Sequence, residues 1–569
     1  MSLARSVENW MTRRYALRIT TKYLTGVSQP CPINVPNWQV IELDKNATTI
    51  EYRRLRAPGE DQQTLIDPPI DQASRLVHDN REASVRQSLS IQGKSLSDLQ
   101  EQGRTELLQR AKDYTSAYRN VDLKTDPDAA IIMSGHQPTL FHPGVWFKNF
   151  VLSRLGQQQS AIPVNLVVDN DLAGVASIRV PQVGAGIVSV HDVPLDQPGN
   201  NIPFECRSIV DLPFFQSFEQ RATGAISSVV DFPLVQRLWP LVGRRLADGE
   251  HNLGLAIAQG RHMMEEQAGL NTLELPISRV AETRTFAELV LEIFQRIEEF
   301  HDAYNGCLFQ YRAVHRIRST AHPVPPLQKT EDWLETPFWI WEADHPVRRP
   351  LYLRKRGDTF QLTDQAKWQT NLDARHFIDQ FCQLGQQGIA LRPRALITTL
   401  FSRLILSDVF LHGIGGSKYD QLTDAIVSRF FLYQMPSYMT LTATATLPCL
   451  ENKVVPADLR RLNVLARELR FHPEEHVDQT EPTVQELVQR KQHWLNPSIP
   501  RGQRGERHRQ IEYCNQQLRQ YARPSEPEIT AERQQLTAQV ERNQILRSRE
   551  YSFCLFPESL LDDLAKLAH

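Results

Sequence analysis

Several hallmarks of common protein classes are missing from this sequence of 569 residues. Its seven cysteines form no C-x-x-C pair, which disfavours both a disulfide framework and a cysteine zinc site. No run approaches the roughly 18 apolar residues that mark a membrane-spanning helix, and the basic amino-terminal stretch lacks the apolar block of a secretory signal. The 64 basic and 66 acidic residues nearly cancel, which disfavours nucleic acid as a partner. We therefore predict a cytoplasmic protein that binds neither nucleic acid nor membrane.

The signatures of several enzyme classes are absent as well. The chain contains no G-x-S-x-G, no H-E-x-x-H and no Walker A motif. None of the cysteines lies in a motif typical of a nucleophile. These absences disfavour covalent hydrolysis and zinc hydrolysis, and no metal site is predicted.

The sequence does contain an α/β pattern. A short apolar run, Ala129 to Met133, precedes a loop, an amphipathic helix at Val145 to Leu155 and a second strand, PVNLVVDND, which is the order of a βαβ unit. Similar alternation returns in RALITTLFSRLILSDVFLHG. We predict one open parallel sheet that a long insertion interrupts, followed by a charged, Gln-rich antiparallel helical hairpin.

The predicted organisation has six segments, within one interrupted core rather than a string of independent domains. They are an N-terminal mixed and helical segment at 1–125, the first half of the core at 126–210, a helical insertion with a β-hairpin through Asp344-His345-Pro346 at 211–385, the second half of the core at 386–450, a helical arm at 451–550 and a docking helix at 551–569.

The first candidate site is the turn that joins the first core strand to its helix. Open α/β sheets bind ligands at the carboxyl ends of their strands, and the N–H groups of a helix start favour an anion. We predict that His136 transfers protons and that Lys148 supplies positive charge; the alternative is an ordinary capping loop. The residues assigned to this site are Gly135, His136, Gln137, His142, Gly144 and Lys148.

The second candidate site is a glycine-rich turn, again between a strand and a helix. Glycine lets the backbone approach a ligand closely, and the following helix start favours an anion. The spacing matches neither a Walker A loop nor a complete dinucleotide motif, so a tight turn without a ligand is the alternative. The residues assigned to this site are Arg392, His412, Gly413, Gly415, Gly416, Lys418, Tyr419 and Asp420.

A third candidate is the acidic pair Asp169 and Asp171, which follows the second strand. Its carboxylates suit the orientation of an amine, a ribose or a metal. Alternatively, Asp171 caps the segment that follows.

With these motifs in view, the chain resembles the family of cysteine-adding enzymes of bacillithiol biosynthesis. SGHQPTLFHPGVWFKNF looks like the family's T-G-Q-Q-x-G-L-x-x-G-P-L-Y-x-x-x-K, and PVNLVVDND is similar to P-V-x-W-x-x-x-x-D-x-D. LRPRALITTLFSRLILSDVFLHGIGGSKYD looks like the later R-P…G-P-G-E-x-x-Y region, and ILRSREYSF matches a terminal R-E helix. His136 departs from the family's first glutamine, and Asn170 from its histidine. The pattern HQPxxxxPGxxxK also looks like the WbqC-like family linked to surface-glycan synthesis.

The resemblance implies a Rossmann-like core and a C-terminal antiparallel coiled-coil arm that forms a homodimer. It also implies amide formation between cysteine, or a similar small carboxylate, and an amino-sugar amine. His136 would be the acid/base, Gln137 and Lys148 would steady an anion, and Asp169 or Asp171 would orient the amine. The substrate is expected to be small and anionic, and ATP or ADP are the candidate cofactors. The alternatives are a nucleotidyltransferase-like enzyme and a non-catalytic nucleotide- or anion-binding protein with a partner-binding arm.

Overall fold

The computed structural model describes residues 50–52, 54–174, 176–184, 187–319, 324–448, 456–496 and 503–569. These residues belong to one compact unit. Residues 1–49 and most of the predicted break between the helical arms, at 497–502, lie outside the described residues. Five cysteines lie within them, and all five are free thiols. No described helix combines the length and the apolar composition that a membrane crossing requires.

The described residues form strands in four sheets. In chain order the strands are β1 (Gln63–Asp67), β2 (Ser90–Ile91), β3 (Lys94–Ser95), β4 (Ile131–His136), β5 (Ile162–Val167), β6 (Ser177–Gly184), β7 (Ile187–Pro194), β8 (Leu273–Pro276), β9 (Lys329–Thr330), β10 (Trp333–Glu342), β11 (His345–Arg356), β12 (Thr359–Thr363), β13 (Gln369–Asp373), β14 (Ile389–Pro393), β15 (Val409–His412) and β16 (Met439–Thr444).

The helices cover both faces of the main sheet and form the C-terminal region. In chain order they are α1 (Ala73–Arg86), α2 (Leu96–Ser116), α3 (Pro143–Gln158), α4 (Leu212–Gln216), α5 (Phe218–Ile226), α6 (Val235–Ala247), α7 (Leu253–Gln267), α8 (Ile277–Val280), α9 (Arg284–Gln295), α10 (Ile297–Val314), α11 (Phe377–Gln386), α12 (Ala395–Phe401), α13 (Ile414–Phe430), α14 (Pro456–Phe471), α15 (Pro482–Leu495), α16 (Arg504–Leu518), α17 (Glu526–Leu546) and α18 (Ser559–Leu567).

The main sheet has six strands in the order β1, β16, β15, β4, β5, β8. All neighbours run parallel except β1, which is antiparallel to β16. Every residue of β5 is buried, as expected for a continuous apolar run covered on both faces. The predicted α/β class with a mostly parallel sheet is therefore confirmed.

The strand order reverses next to β4. From β4 the chain adds β5 and then β8 on one side, and it later returns to add β15 and β16 on the other side. The carboxyl ends of β4 and β15 therefore border a crevice, which is where open α/β sheets bind ligands. Both turns that the sequence singled out lie at this point.

Two strands depart from the predicted segments. β8 joins the main sheet although it lies inside the predicted insertion at 211–385, because a four-residue strand between helices leaves little signal in the sequence. β14 lies in the predicted second half of the core, yet it pairs with β10 and completes a second, antiparallel sheet of order β13, β12, β11, β10, β14. The predicted hairpin is β10–β11, which closes with Glu342 opposite His345.

The two runs after the acidic pair, β6 and β7, form a separate antiparallel ribbon and do not extend the main sheet.

In its described residues, 456–496 and 503–550, the C-terminal arm consists of four α-helices rather than two. α14 packs against α17, and α15 packs against α16, so the chain runs out and back in an antiparallel path. The outgoing half is interrupted by a turn at Pro473–Glu475, and Leu469, Ala522 and Ile529 form a small apolar cluster beside that interruption. The antiparallel helical path agrees with the sequence prediction, whereas coiled-coil packing stays a prediction.

Candidate functional site

A cavity of about 780 Å³ opens at the crevice between the ends of β4 and β15. Its walls include the turn after β4, the end of β5 with the segment that follows, parts of β10 and β11, the end of β14 with the start of α12, the segment after β15, and the segment between α17 and α18. This volume suits a ligand the size of a nucleotide or a small substrate. The two candidate turns of the sequence analysis therefore meet in one space.

The helix start after β4 is built as the sequence predicted. His142 is the N-cap of α3, its Nδ1 accepts a hydrogen bond of 3.1 Å from the Gly144 N–H, and Pro143 occupies the first turn. Gly144 packs so tightly that a Cβ atom would overlap the Ala443 carbonyl oxygen and the Arg549 guanidinium. Because Nδ1 of His142 is the acceptor, its Nε2 carries the proton and lies 4.0 Å from a carboxylate oxygen of Glu550.

His136 lies at the end of β4 and lines the cavity as a neutral imidazole. Its Nδ1 lies 3.3 Å from the carbonyl oxygen of Gln137, which can only accept, so Nδ1 carries the proton and Nε2 keeps its lone pair. Burial, with a smaller contribution from Lys148, lowers the pKa of His136 to about 3. Burial likewise lowers the pKa of His142 to about 4. At neutral pH both rings are uncharged, and His136 presents an acceptor rather than an acid.

Lys148 brings positive charge to the same wall. It is buried in α3, and its Nζ donates a hydrogen bond of 2.8 Å to the Gly135 carbonyl oxygen at the end of β4. Burial lowers its pKa to about 8, so at pH 7 it is still mostly charged. A carbonyl group has no net charge and does not compensate the charge of the ammonium group, so Lys148 can still attract a bound anion.

Asp171 is brought to the cavity as predicted, but it is already engaged. Gln137 Nε2 donates to one carboxylate oxygen at 3.2 Å, and Arg348 donates to the other at 2.8 Å. Burial alone would raise the pKa of Asp171, but these hydrogen bonds outweigh burial and the pKa is lowered. Asp171 is therefore an anchor for Gln137 and Arg348, and its charge is compensated.

Asp169 and Arg392 do not line the cavity, which corrects their assignment as ligand-binding residues. Asp169 is buried against Ser278, whose N–H and Oγ donate to it at 2.9 and 2.5 Å. Arg392 lies between Glu205 and Glu282, at 3.1 and 3.2 Å. The polar groups of both residues are therefore held in internal contacts.

Arg394, two residues further on, does line the cavity. Its guanidinium lies 3.9 Å from the centre of the Trp339 ring, and one nitrogen donates to Glu335 at 2.6 Å. Arg348 lies over the same ring at 4.7 Å. Trp339 and Arg348 come from the second sheet, which the sequence analysis did not connect with the site.

The glycine-rich segment differs from its prediction in one respect. Gly413 is the N-cap and α13 begins at Ile414, so Gly415 and Gly416 form the first helical turn and not a loop. Gly416 leaves room for His412, since a Cβ atom there would meet its Nδ1 at 2.9 Å, whereas Gly413 and Gly415 have open space. All three glycines line the cavity, as do Lys418 and Tyr419.

His412 and Asp420 form a pair at the end of β15. His412 lines the cavity. Its Nε2 lies 2.7 Å from Oδ2 of Asp420, and a guanidinium nitrogen of Arg403 lies 2.5 Å from the same oxygen. Burial would raise the pKa of Asp420, but Arg403 and His412 outweigh burial and hold it low. Asp420 itself does not line the cavity, so the structure assigns it to the support of His412 rather than to a ligand.

Further cavity residues come from positions that the sequence analysis did not assign to a site, among them Thr442, Arg549 and Glu550. Thr442 is a residue of β16, and Arg549 and Glu550 lie in the segment before α18. Arg549 donates to Thr442 Oγ1 at 2.8 Å and to the Ala443 carbonyl at 3.1 Å. The one available signal was the R-E pair in ILRSREYSF, which the resemblance had already singled out.

A possible metal-ligand group lies apart from the cavity. Among the described residues, His262, Glu265 and Glu274 bring ligand atoms within 4.8 Å of one another. Arg261 already occupies the space between the carboxylates, at 2.5 Å from each. Both nitrogens of His262 face hydroxyl groups, of Tyr118 at 2.7 Å and of Thr272 at 2.9 Å. This donor set therefore suits an internal ion network better than a metal ion.

No protein-family model matches this chain, and no curated protein matches it either.

Proposed function

We propose that the chain is a ligase-like enzyme that joins a small carboxylate, such as cysteine, to an amino-sugar amine. The single observation that carries the proposal is the cavity at the switch point, where two helix starts, Lys148 and a neutral His136 surround one space. Helix starts and cations favour an anion, and a neutral imidazole with a free Nε2 takes up a proton. Anion binding and proton uptake are the two tasks that amide formation requires.

The order of the main sheet supports a Rossmann-like core as part of this proposal. Strands β8, β5, β4, β15 and β16 follow one another as a sheet whose order reverses at β4. Sheets of this type bind nucleotides across the reversal. We therefore propose a nucleoside triphosphate as the co-reactant that activates the acid.

The proposed reaction has two steps. A carboxylate oxygen of the acid attacks the terminal phosphorus of the triphosphate, the bond to the bridging oxygen breaks, and a nucleoside diphosphate leaves. The amine nitrogen then attacks the acyl carbon of the acyl phosphate, the acyl C–O bond breaks, and inorganic phosphate leaves. The nitrogen loses one proton, which passes to Nε2 of His136.

His136 is suited to this proton because of its surroundings. A neutral imidazole is ready to accept, and a bound phosphate beside it favours the charged ring, which raises its pKa when the substrates are present. Lys148 and the positive end of the α3 helix dipole stabilise the negative charge that develops on the phosphate and on the tetrahedral intermediate.

The test is to assay purified protein with ATP, a panel of amino acids that includes cysteine, and a panel of amino sugars. The product amide is identified by its mass, and released phosphate is measured. In the variant His136→Ala we expect turnover to fall by about 10²- to 10⁴-fold, while stabilisation against heat by ATP is retained. His191→Ala is the matched control, because that histidine is exposed on β7 and does not line the cavity.

If no pair of substrates yields an amide although ATP still stabilises the protein, the alternative of a non-catalytic nucleotide-binding protein is favoured. If pyrophosphate is released instead of phosphate, the nucleotidyltransferase alternative replaces the proposed reaction.

We also propose that the helical arm forms a coiled-coil homodimer. Large apolar side chains remain exposed on its helices, among them Val464 and Phe471 on α14 and Leu495 on α15. Val464 and Phe471 lie seven residues, or about two turns, apart and so share one face of the helix. Exposed apolar side chains on one helix face are typical of a contact surface. Light scattering of the full chain should give the mass of a dimer, and Val464→Glu with Phe471→Glu should give a monomer. Phe232→Glu, at an exposed position outside the arm, serves as the control; an unchanged mass in the double variant would contradict the proposal.

A further inference from the structure

Arg394 has donors that the protein does not use. The residue is only 6% exposed, and one of its nitrogens donates to Glu335. Its Nε and its other terminal nitrogen are buried, and neither has a hydrogen-bond partner among the described residues. Buried N–H groups without a partner are rare, since each costs the free energy of lost hydration. Arg394 also lines the cavity, so a ligand that displaces the groups covering these two nitrogens would supply the missing acceptor.

The guanidinium is held in place before any ligand arrives. Glu335 fixes one end at 2.6 Å, the Trp339 ring supports the plane at 3.9 Å, and the Arg394 backbone N–H donates to the Pro337 carbonyl at 3.1 Å. A guanidinium fixed in this way loses little freedom when it binds a planar oxyanion.

The positive charge on the cavity wall around Arg394 is largely compensated, so this wall suits a ligand with a single negative charge better than a polyphosphate. Arg394 is compensated by Glu335, and its neighbour Arg348 is compensated by Asp171. Elsewhere in the lining, Lys148 contacts a neutral carbonyl, and two helices begin at the cavity. A polyphosphate is therefore better placed on the Lys148 wall, and a carboxylate on the Arg394 wall.

We infer that Arg394 is the carboxylate-binding residue of the cavity, so that the acid substrate binds through its carboxylate against Trp339 while the phosphates occupy the Lys148 wall. This inference rests on the proposed function for the identity of the acid. The binding chemistry rests on Arg394 itself.

The experiment uses the full chain and compares each amino acid of the panel with its carboxamide, by calorimetry or by thermal stabilisation. Cysteine with cysteinamide and serine with serinamide are the first pairs. In the wild type we expect at least one carboxylate to bind about tenfold or more tightly than its amide. In Arg394→Lys, which keeps the charge beside Glu335 but removes Nε, that preference should be lost while the affinity for ATP stays unchanged. Arg245→Lys is the matched control, because that arginine is also buried but does not line the cavity.

A double variant provides a second test in case Arg394→Lys does not fold. Arg394→Gln with Glu335→Gln removes both charges together and should also lose the preference. The inference is overturned if no carboxylate binds more tightly than its amide, if the preference survives in both variants, or if ATP binding weakens as much as carboxylate binding. If the preference holds and depends on Arg394 but no amide forms, the inference stands and the proposed reaction is the part that fails.

Discussion

Two groups of buried charge in this protein are built in opposite ways. In the cluster of Arg261, Glu265 and Glu274, one guanidinium contacts both carboxylates at 2.5 Å, and all three side chains are nearly inaccessible. At the cavity, Arg394 has one internal partner, and two of its N–H-bearing nitrogens have none among the described residues. The cluster of Arg261, Glu265 and Glu274, here called the closed cluster because it does not line the cavity, holds the fold together, although one oxygen of each carboxylate has no hydrogen-bond partner among the described residues. The unused donors of Arg394, in contrast, belong to a residue that lines the cavity and is therefore next to a ligand.

The closed cluster also joins two elements of the main core, α3 and β5, to the elements that carry its carboxylates. Trp146 Nε1 and Asn149 on α3 donate to Glu265 at 2.6 and 2.8 Å, and Asn165 on β5 donates to Glu274 at 2.6 Å. The cluster therefore locks α3 and β5 against α7 and β8. It positions the cavity wall from behind and takes no part in its chemistry.

The largest effect that we predict would break the closed cluster. Arg261→Met leaves two carboxylates buried without their cation, so the free energy of unfolding should fall by about 3–5 kcal/mol. Chemical denaturation measures this loss. Arg375→Met is the control, because its ion pair with Asp358, at 2.9 Å, is exposed and its loss should cost less than about 1 kcal/mol. Equal losses in the two variants would mean that the cluster does not stabilise the fold as described.

A smaller effect is expected where the cavity wall is most tightly packed. In Gly144→Ala the new methyl group overlaps the Ala443 carbonyl and Arg549; we expect a loss of about 1–3 kcal/mol and weaker ATP binding. Gly243→Ala is the matched control, since open space surrounds that position in α6 and it does not line the cavity. There we expect a gain of up to about 1 kcal/mol. Thermal unfolding with and without ATP distinguishes the two, and a neutral Gly144→Ala would contradict this packing.

The smallest effect concerns the neutral histidine of the open site. The pKa of His136 is about 3 in the folded protein and about 6.5 in an unfolded chain. Between these values the unfolded chain binds the proton and the folded protein does not, so stability is complete above pH 6.5 and falls as the pH drops towards 3. The loss should approach about 1 kcal/mol per pH unit.

The measurement is the difference in unfolding free energy between wild type and His136→Asn from pH 7 to pH 5.5, over which the wild type should lose about 1 kcal/mol. The wild type should lose more stability than the variant over this range, and His191→Asn should behave like the wild type. Parallel curves for wild type and His136→Asn would show that burial does not keep His136 neutral.

Much of the site follows from local sequence. The apolar run of β4, the cap His142 with Pro143 and the glycine-rich start of α13 each carry a signal that spans a few neighbouring residues. Those signals predicted the start of α3 and a helix after β15, although that helix begins within the glycine-rich segment rather than after it. The rule for strand ends predicted that both turns would lie at the ligand-binding edge.

The remaining residues of the site could not be found in this way. Arg348 and Trp339 come from a separate antiparallel sheet, and Arg549 comes from the far end of the chain. The choice between Arg392 and Arg394 depends on which one meets the carboxylates Glu205 and Glu282, and those lie more than 100 residues away in the sequence. A pattern of neighbouring residues in the sequence does not predict contacts over such separations.

The sequence alone determined the α/β class, the strand-to-helix turns and the residue types available at them, because these depend on periodicity and capping over short distances. The tertiary structure alone decided which charges are compensated and which face the cavity. Two arginines of one segment thus have different roles, because compensation depends on contacts between strands that are neighbours only in the folded chain.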